Sequence, residues 1–229
     1  MNRLLQRVSA KGHGRATLLA LSSDHGESLW DRERWGKRQP WQSNVAIPLV
    51  ITQWPVRADG FALRSGVSVT TPVSLIDLTA TFLHFAGASH SEIAALAMDS
   101  RSLHAILAIG HVSEDPERGG PRRPVRIGLK DWRSLVAEFD RCPPRNDRCT
   151  IKLTRCVYPV DTQTNLACLR HCRRVPGRTC LCELAFDLTS DPREEHPLQP
   201  RPELTDLSEH FVDARFRECR GSQQRPPQR

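Results

Sequence analysis

Asp24, His25 and Lys37 are the residues of this sequence whose types and spacing are best suited to chemistry. The apolar run 16–21 precedes Asp24, and Gly26 favours a turn after His25, so the run predicts a buried parallel strand. Parallel sheets bind their ligands at the carboxyl ends of the strands. A carboxylate and an imidazole at such an end suit a metal ion, and a nearby lysine suits an anion bound to that metal. Taken alone, an Asp-His-Gly sequence is more often a turn with a satisfied polar contact.

The apolar pattern on either side indicates the elements that position these residues. Leu4, Leu5 and Val8 predict an amphipathic helix before the first strand. A second apolar run, 45–51, predicts another buried strand, with Pro48 at its start or at a sheet edge. The first part of the chain is therefore predicted to be α/β, with a partial, mostly parallel sheet flanked by helices.

A longer helix is predicted to begin at Thr71, a natural N-cap, with Pro72 as its first residue. Its apolar stripe extends to Ala86, and Gly87 is placed to end it. Asp77, inside this stripe, is predicted to be structural rather than catalytic.

The cysteines divide the chain, because all eight lie between Cys142 and Cys219. We expect a first domain over 1–115, a smaller α+β domain over 116–220 and a disordered tail over 221–229. The second domain is predicted to contain antiparallel strands at 125–128 and 134–137 and a final helix over 204–217. Disulfides are favoured over a zinc site if the chain is exported, and no pairing is assigned.

The net charge of +7 permits anionic partners such as sulfated glycans. Nucleic acid is not expected, because the arginines are scattered among prolines without a basic helix or an aromatic stacking platform. No apolar stretch approaches the roughly 20 residues of a membrane span. Residues 1–8 lack the pattern of a signal peptide.

An ordered set of segments resembles the sulfatase family of the alkaline phosphatase superfamily. The set comprises 22–27 (SSDHGE), 34–37 (RWGK), Trp41, 47–51 (IPLVI), 72–81, 99–103 and 186–194, the last resembling the family's closing DL-x-x-DP-x-E signature. The resemblance implies an alkaline-phosphatase-like fold and a secreted or lysosomal location, which the cysteine-rich region also favours.

The resemblance also implies roles for individual residues. Asp24 and His25 complete a divalent-metal site that two carboxylates begin in the family's amino-terminal half. Calcium is the expected metal, and the nitrogen of His25 leaves manganese or another softer metal open. Lys37 binds the sulfate and offsets charge in the transition state.

The sequence departs from the family at its nucleophile, a formylglycine made from the cysteine of a C-x-P-x-R motif. Cys142-Pro143-Pro144-Arg145 comes close, but its arginine is one position early and it follows the metal motif. Gln42 and Ala46 also stand where the family usually has Glu and Arg. We therefore expect a carboxy-terminal portion of a sulfuric ester hydrolase, inactive alone, whose sheet a missing half or another chain completes.

Three alternatives remain open from the sequence. A relative acting on phosphorus would be a phosphonate or phosphodiester hydrolase or a phosphoethanolamine transferase. A non-catalytic, glycan-binding remnant fits the basic charge and the absent nucleophile. Trp30, Trp35 and Trp41 either line a substrate pocket or pack a long loop.

Overall fold

The computed structural model describes residues 2–11, 16–33, 35–54, 63, 66–109, 124–129, 132–142, 147–158, 180–199, 204 and 207. The chain forms two compact units: unit 1 comprises Met1–Gly26 with Ala46–Arg122, and unit 2 comprises Glu27–Val45 with Arg123–Arg229. The predicted domain 1–115 included the segment 27–45, which the structure instead places in unit 2. No helix in these described ranges is long and apolar enough to cross a membrane.

The helices are α1 (Asn2–Lys11), α2 (Gln42–Val45), α3 (Asp77–Phe85), α4 (His90–Ala95) and α5 (His104–Ile109), with a 3-10 helix at Asp31–Glu33. The strands are β1 (Thr17–Ser22), β2 (Ser28–Leu29), β3 (Trp35–Gly36), β4 (Leu49–Trp54), β5 (Val125–Leu129), β6 (Trp132–Cys142), β7 (Asp147–Tyr158) and β8 (Cys180–Asp187). The mixed α/β class is confirmed, and every strand pairing described is antiparallel.

The strands β1 and β4 form a two-stranded sheet in unit 1, so the predicted parallel arrangement is wrong for this pair. Parallel strands need a crossover, usually a helix of several turns, whereas the described residues between β1 and β4 form the strands β2 and β3, a 3-10 turn and the single-turn helix α2. The chain returns with Ser22 opposite Leu49, and Ser22 Oγ donates to the carbonyl of Pro48 at 2.8 Å. The second strand starts after Pro48, as predicted for that proline, although Val45 belongs to α2.

Helix α3 begins at Asp77 instead of Thr71, so the predicted N-cap is wrong. The buried carboxylate of Asp77 accepts from the backbone amides of Ser74 at 3.0 Å and Arg101 at 3.1 Å. This acidic group therefore organises the turn before the helix and ties it to the segment before α5. The prediction that Asp77 is structural is confirmed.

The end of α3 follows the sequence prediction. Gly87 has a φ of 101°, a left-handed conformation that favours glycine. Its amide donates to the carbonyl of His84 at 3.0 Å, and the amide of Ala88 donates to that of Leu83 at 3.0 Å. These two bonds form a Schellman motif, which satisfies carbonyls at the helix end.

Three histidines cluster where α3, α4 and α5 meet. The ring centroid of His84 lies 4.4 Å from that of His90 and 4.5 Å from that of His104, and Ser102 Oγ lies 3.0 Å from His84 Nδ1. Burial, helped by the neighbouring histidines, lowers the pKa of both His84 and His104 below the usual value of 6.5. The folded chain thus keeps these rings neutral where the unfolded chain would protonate them.

This cluster predicts that unit 1 loses stability as the pH falls through about 6.5, the usual histidine pKa. Below this pH the unfolded state binds more protons than the folded state, so the free energy of unfolding decreases in acid. Above it, the two neutral histidines make their full contribution to the stability of unit 1. His90→Gln removes an exposed ring that disfavours protonation of the other two. Urea unfolding of this variant should depend less steeply on pH between about 7.5 and 5.5 than that of the parent. An unchanged pH dependence would rule out the cluster as its source.

Unit 2 is built on a four-stranded antiparallel sheet in the order β5-β6-β7-β8. The predicted strand pair 125–128 and 134–137 is confirmed as β5 and β6. Leu135, Ile151, Leu153 and Ala185 form a buried cluster, which Leu207 joins. Of the predicted final helix, Leu204 and Leu207 are helical, while the rest of 204–217 and the tail 221–229 lie outside the described residues.

One disulfide, Cys142–Cys149, joins the end of β6 to the start of β7. It bears out the preference for disulfides at this pair. Cys142, the cysteine of the sequence that comes close to the nucleophile motif, is therefore part of a disulfide. The rest of the cysteine-rich part of the chain, between Cys156 and Cys180, lies mostly outside the described residues.

Candidate functional site

Asp24 and His25 lie in unit 1 just after β1, from whose last residue, Ser22, they are separated by Ser23. Ser23 Oγ donates to the carbonyl of His25 at 2.7 Å, which tightens the turn as the chain leaves the strand. Asp24 Oδ2 lies 3.3 Å from His25 Nε2, and the carboxylate side chain is 86% exposed. The structure therefore brings the two predicted metal ligands together, with the carboxylate open to solvent.

The hydrogen bond between His25 and the backbone of Gly26 determines which ring nitrogen of His25 carries the proton and which has a lone pair. His25 Nδ1 lies 2.8 Å from the carbonyl of Gly26, which can only accept, so Nδ1 carries the proton. In the neutral ring, Nε2 then has a lone pair beside an oxygen of Asp24. A metal cation would stabilise two acceptors at this separation.

The pair fits a divalent metal by ligand type, with one carboxylate and one oriented imidazole. Calcium takes six to eight oxygen ligands, and two side chains supply fewer than that. Among the residues that the structure describes, no group of three or more His, Cys, Asp or Glu side chains is arranged to hold a metal. Asp24 and His25 are therefore at most part of a coordination sphere.

Lys37 lies in unit 2, in the segment 27–45, which we call the Lys37 loop. The strands β2 and β3 form a short hairpin, with Ser28 opposite Gly36, and Lys37 follows the hairpin as an exposed residue. Trp30 and Trp35 are each 71% exposed, and their rings meet edge to face with centroids 6.3 Å apart. The loop thus presents a cation and two indole rings to solvent.

The backbone of the Lys37 loop is unusual. Four non-glycine residues within it have left-handed φ angles: Trp30 at 68°, Arg32 at 53°, Glu33 at 58° and Arg38 at 80°. Such residues are uncommon, and they persist only where the surroundings hold them. The loop must therefore be fixed by contacts with the rest of unit 2.

Residues 1–88 match the Sulfatase family model. These residues are thus similar to part of a sulfatase domain. Asp24, His25 and Lys37 all lie within the matched residues, so the predicted resemblance is confirmed for this range. No curated protein matches the chain. The sulfatase family generally uses a divalent metal, while the roles of these three residues remain predictions.

Trp41 of the sulfatase segment belongs to the interior of unit 2, which decides one of the alternatives left by the sequence. Its ring is 4% exposed and packs edge to face against Phe186, with centroids 6.1 Å apart. The guanidinium of Arg32 lies over the same ring at 4.0 Å from its centroid. Trp41 is thus a packing residue, whereas Trp30 and Trp35 are exposed.

A buried ion pair under this segment was not found from the sequence. Lys152 Nζ lies 2.7 Å from Glu194 Oε1, and both side chains are almost fully buried. Glu194 Oε2 accepts from the amide of Gln42 at 2.7 Å, and Lys152 donates to the carbonyl of Pro40. The segment 186–194, which resembles the family's closing signature, includes Glu194, but nothing in the sequence marked Lys152, a single lysine within β7, as its partner.

Proposed function

We propose that this chain supplies metal-binding and sulfate-binding residues for the hydrolysis of sulfate esters. The observation that carries the proposal is the adjacency of Asp24 Oδ2 and His25 Nε2, at 3.3 Å, within the residues that match the sulfatase family. Lys37, which lies in unit 2, is assigned the sulfate-binding role by its position in the Gly-Lys motif of the same matched range.

The proposed roles follow from the chemistry of each side chain. Asp24 contributes a charged oxygen to the metal, and the bond to Gly26 holds the His25 ring with Nε2 available for it. The metal, when bound, acts as a Lewis acid and template for the sulfate group. The ammonium of Lys37 binds the sulfate oxygens and offsets the negative charge that grows as the ester bond breaks.

The nucleophile is the part of the chemistry that this sequence does not provide. It contains no C-x-P-x-R motif, and the thiol of Cys142 is in a disulfide with Cys149. We therefore expect no turnover of a chromogenic aryl sulfate by this chain. Turnover that Lys37→Ala abolishes would show that a complete active site is present.

Binding of inorganic sulfate tests the proposal without requiring turnover. Lys37→Ala should weaken sulfate binding by about tenfold or more, because a charge-assisted hydrogen bond contributes roughly 1.5–3 kcal/mol. Titration calorimetry in the presence of calcium or manganese measures the effect. Arg126→Ala is the matched control, since Arg126 is exposed in unit 2 on β5 and its loss changes the net charge equally.

The outcomes separate the proposal from its rivals. Equal weakening by both substitutions would contradict a specific role for Lys37 and indicate general attraction to the basic surface. Tighter binding of phosphate than of sulfate would favour a relative acting on phosphorus. Metal-independent, salt-sensitive binding of heparin would favour a non-catalytic glycan-binding protein, for which the exposed Trp30 and Trp35 beside Lys37 are suitable contacts.

A further inference from the structure

The Lys37 loop is held by unit 2 at points on both sides of Lys37. Before it, Arg32 Nη2 donates to the carbonyl of Arg193 at 2.7 Å and to that of Glu194. After it, Trp132 Nε1 donates to the carbonyl of Arg38 at 2.9 Å. The chain thus has fixed points five residues before Lys37 and one residue after it.

We infer that Glu194, Lys152 and Arg32 are positioning residues that hold Lys37 in the conformation that binds sulfate. The inference rests on the proposed function for what Lys37 binds. The positioning itself rests on contacts within unit 2.

The ion pair explains why the second half of the loop is fixed. Glu194 has two carboxylate oxygens, of which one pairs with Lys152 and the other accepts from the amide of Gln42. Lys152 in turn donates to the carbonyl of Pro40, two residues before Gln42. A buried charge is costly unless it is paired and hydrogen-bonded. The ion pair therefore takes two of its hydrogen bonds from the backbone of the loop, and these bonds fix the loop in place.

The turn that carries Glu194 is itself fixed by Asp191. The carboxylate of Asp191 accepts from the amides of Glu195 at 3.0 Å and His196 at 2.8 Å. The amide of Glu194 donates to the carbonyl of Asp191 at 3.1 Å. The Asp-Pro-x-Glu sequence thereby presents one buried acid to the loop at a defined place.

The loop's own hydrogen bonds complete the arrangement. Asn44 Nδ2 donates to Ser28 Oγ at 2.7 Å, and Asn44 Oδ1 accepts from the amide of Gln39 at 2.8 Å. The first of these bonds joins the two ends of the loop and the second closes its latter part, while Glu194, Lys152 and Arg32 fix it from outside. Together they hold Arg32 and Arg38 in their left-handed conformations, one on each side of Lys37.

Hydrogen–deuterium exchange of the full chain tests the positioning role. In Glu194→Gln, one carbonyl oxygen cannot serve both Lys152 and Gln42. We expect amides in the peptide 35–45 to exchange about tenfold faster or more, while those of β6 and β7 change much less. Arg32→Met, at a partly exposed residue, removes the donor of both bonds before Lys37 and should also accelerate exchange in the loop.

The matched control is Glu183→Gln, which breaks the ion pair between Arg155 Nε and Glu183 Oε2, 2.5 Å apart in the same sheet. This variant should leave exchange in 35–45 unchanged. If Glu194→Gln does not fold, Arg32→Met decides the question by the same measurement. Unchanged loop exchange in a folded variant, or equal acceleration by Glu183→Gln, would overturn the positioning role.

Sulfate titration then separates this inference from the proposed function. If the parent binds sulfate, Glu194→Gln should weaken binding as Lys37→Ala does, and Glu183→Gln should not. Normal sulfate binding with a loosened loop would overturn the claim that these residues position Lys37. If the parent binds no sulfate, the proposed function fails, and the exchange data alone decide whether the three residues fix the loop.

Discussion

Lys152→Met is expected to destabilise unit 2 by about 3–5 kcal/mol, because it leaves the carboxylate of Glu194 buried without its charged partner. Lys152 is 0% exposed and Glu194 1% exposed at their side chains, so water cannot replace the lost ammonium. Urea unfolding followed by tryptophan fluorescence measures the loss, since Trp41 and Trp132 are both buried in this unit.

The double variant Lys152→Met/Glu194→Leu is the control for this prediction. Removing both charges leaves no uncompensated ion, so the pair of apolar side chains should recover much of the stability. A single substitution that costs less than about 1 kcal/mol would mean that Glu194 reaches solvent or another cation. Because Pro40 and Gln42 bond to this pair, recovered stability need not restore the order of the Lys37 loop.

The local sequence signals that succeeded were those with a short-range physical cause. Gly87 ends α3 because only the residue after the helix needs a left-handed φ, and glycine adopts it freely. The strands β5 and β6 were predicted from two short segments in which apolar residues lie close together, Val125 with Ile127 and Leu135 with Val136. The ordered motifs of the first 88 residues predicted the sulfatase family, which the family match confirms.

The pairing of β1 with β4 could not be read from the apolar runs. A run of apolar residues states that a strand is buried, but parallel and antiparallel partners both satisfy it. Here Leu21 and Val50 are register partners that are both more than half exposed. These two apolar side chains are therefore not buried by the described sheet, although the apolar runs predicted buried strands.

The contacts that fix the Lys37 loop could not be predicted either, because they join distant parts of the chain. Arg32 and Glu194 are 162 residues apart in sequence, and Lys152 and Pro40 are 112 apart. Sequence motifs around Lys37 therefore indicate the chemistry of the loop but not what holds it. The departure at Gln42 is informative here, since its backbone amide is the group that binds Glu194.

Phe186→Ala is expected to cost about 3–5 kcal/mol, the usual range for a buried phenylalanine replaced by alanine. Phe186 is 1% exposed and lies directly opposite Lys152 in the pairing of β7 with β8. Its ring also packs against Trp41 at the end of the Lys37 loop. Phe186→Leu, which retains a large apolar side chain, should show a smaller loss in the same urea measurement.

The position of Phe186 makes its effect dependent on the ion pair. A cavity opposite residue 152 would admit water to the carboxylate of Glu194, so the penalty of leaving that carboxylate without its lysine would fall. The double variant Phe186→Ala/Lys152→Met should therefore lose less stability than the sum of the single losses, by roughly 0.5–3 kcal/mol. Strict additivity would show that the apolar packing of Trp41 and the ion pair stabilise the loop independently, and that neither transmits changes to the other.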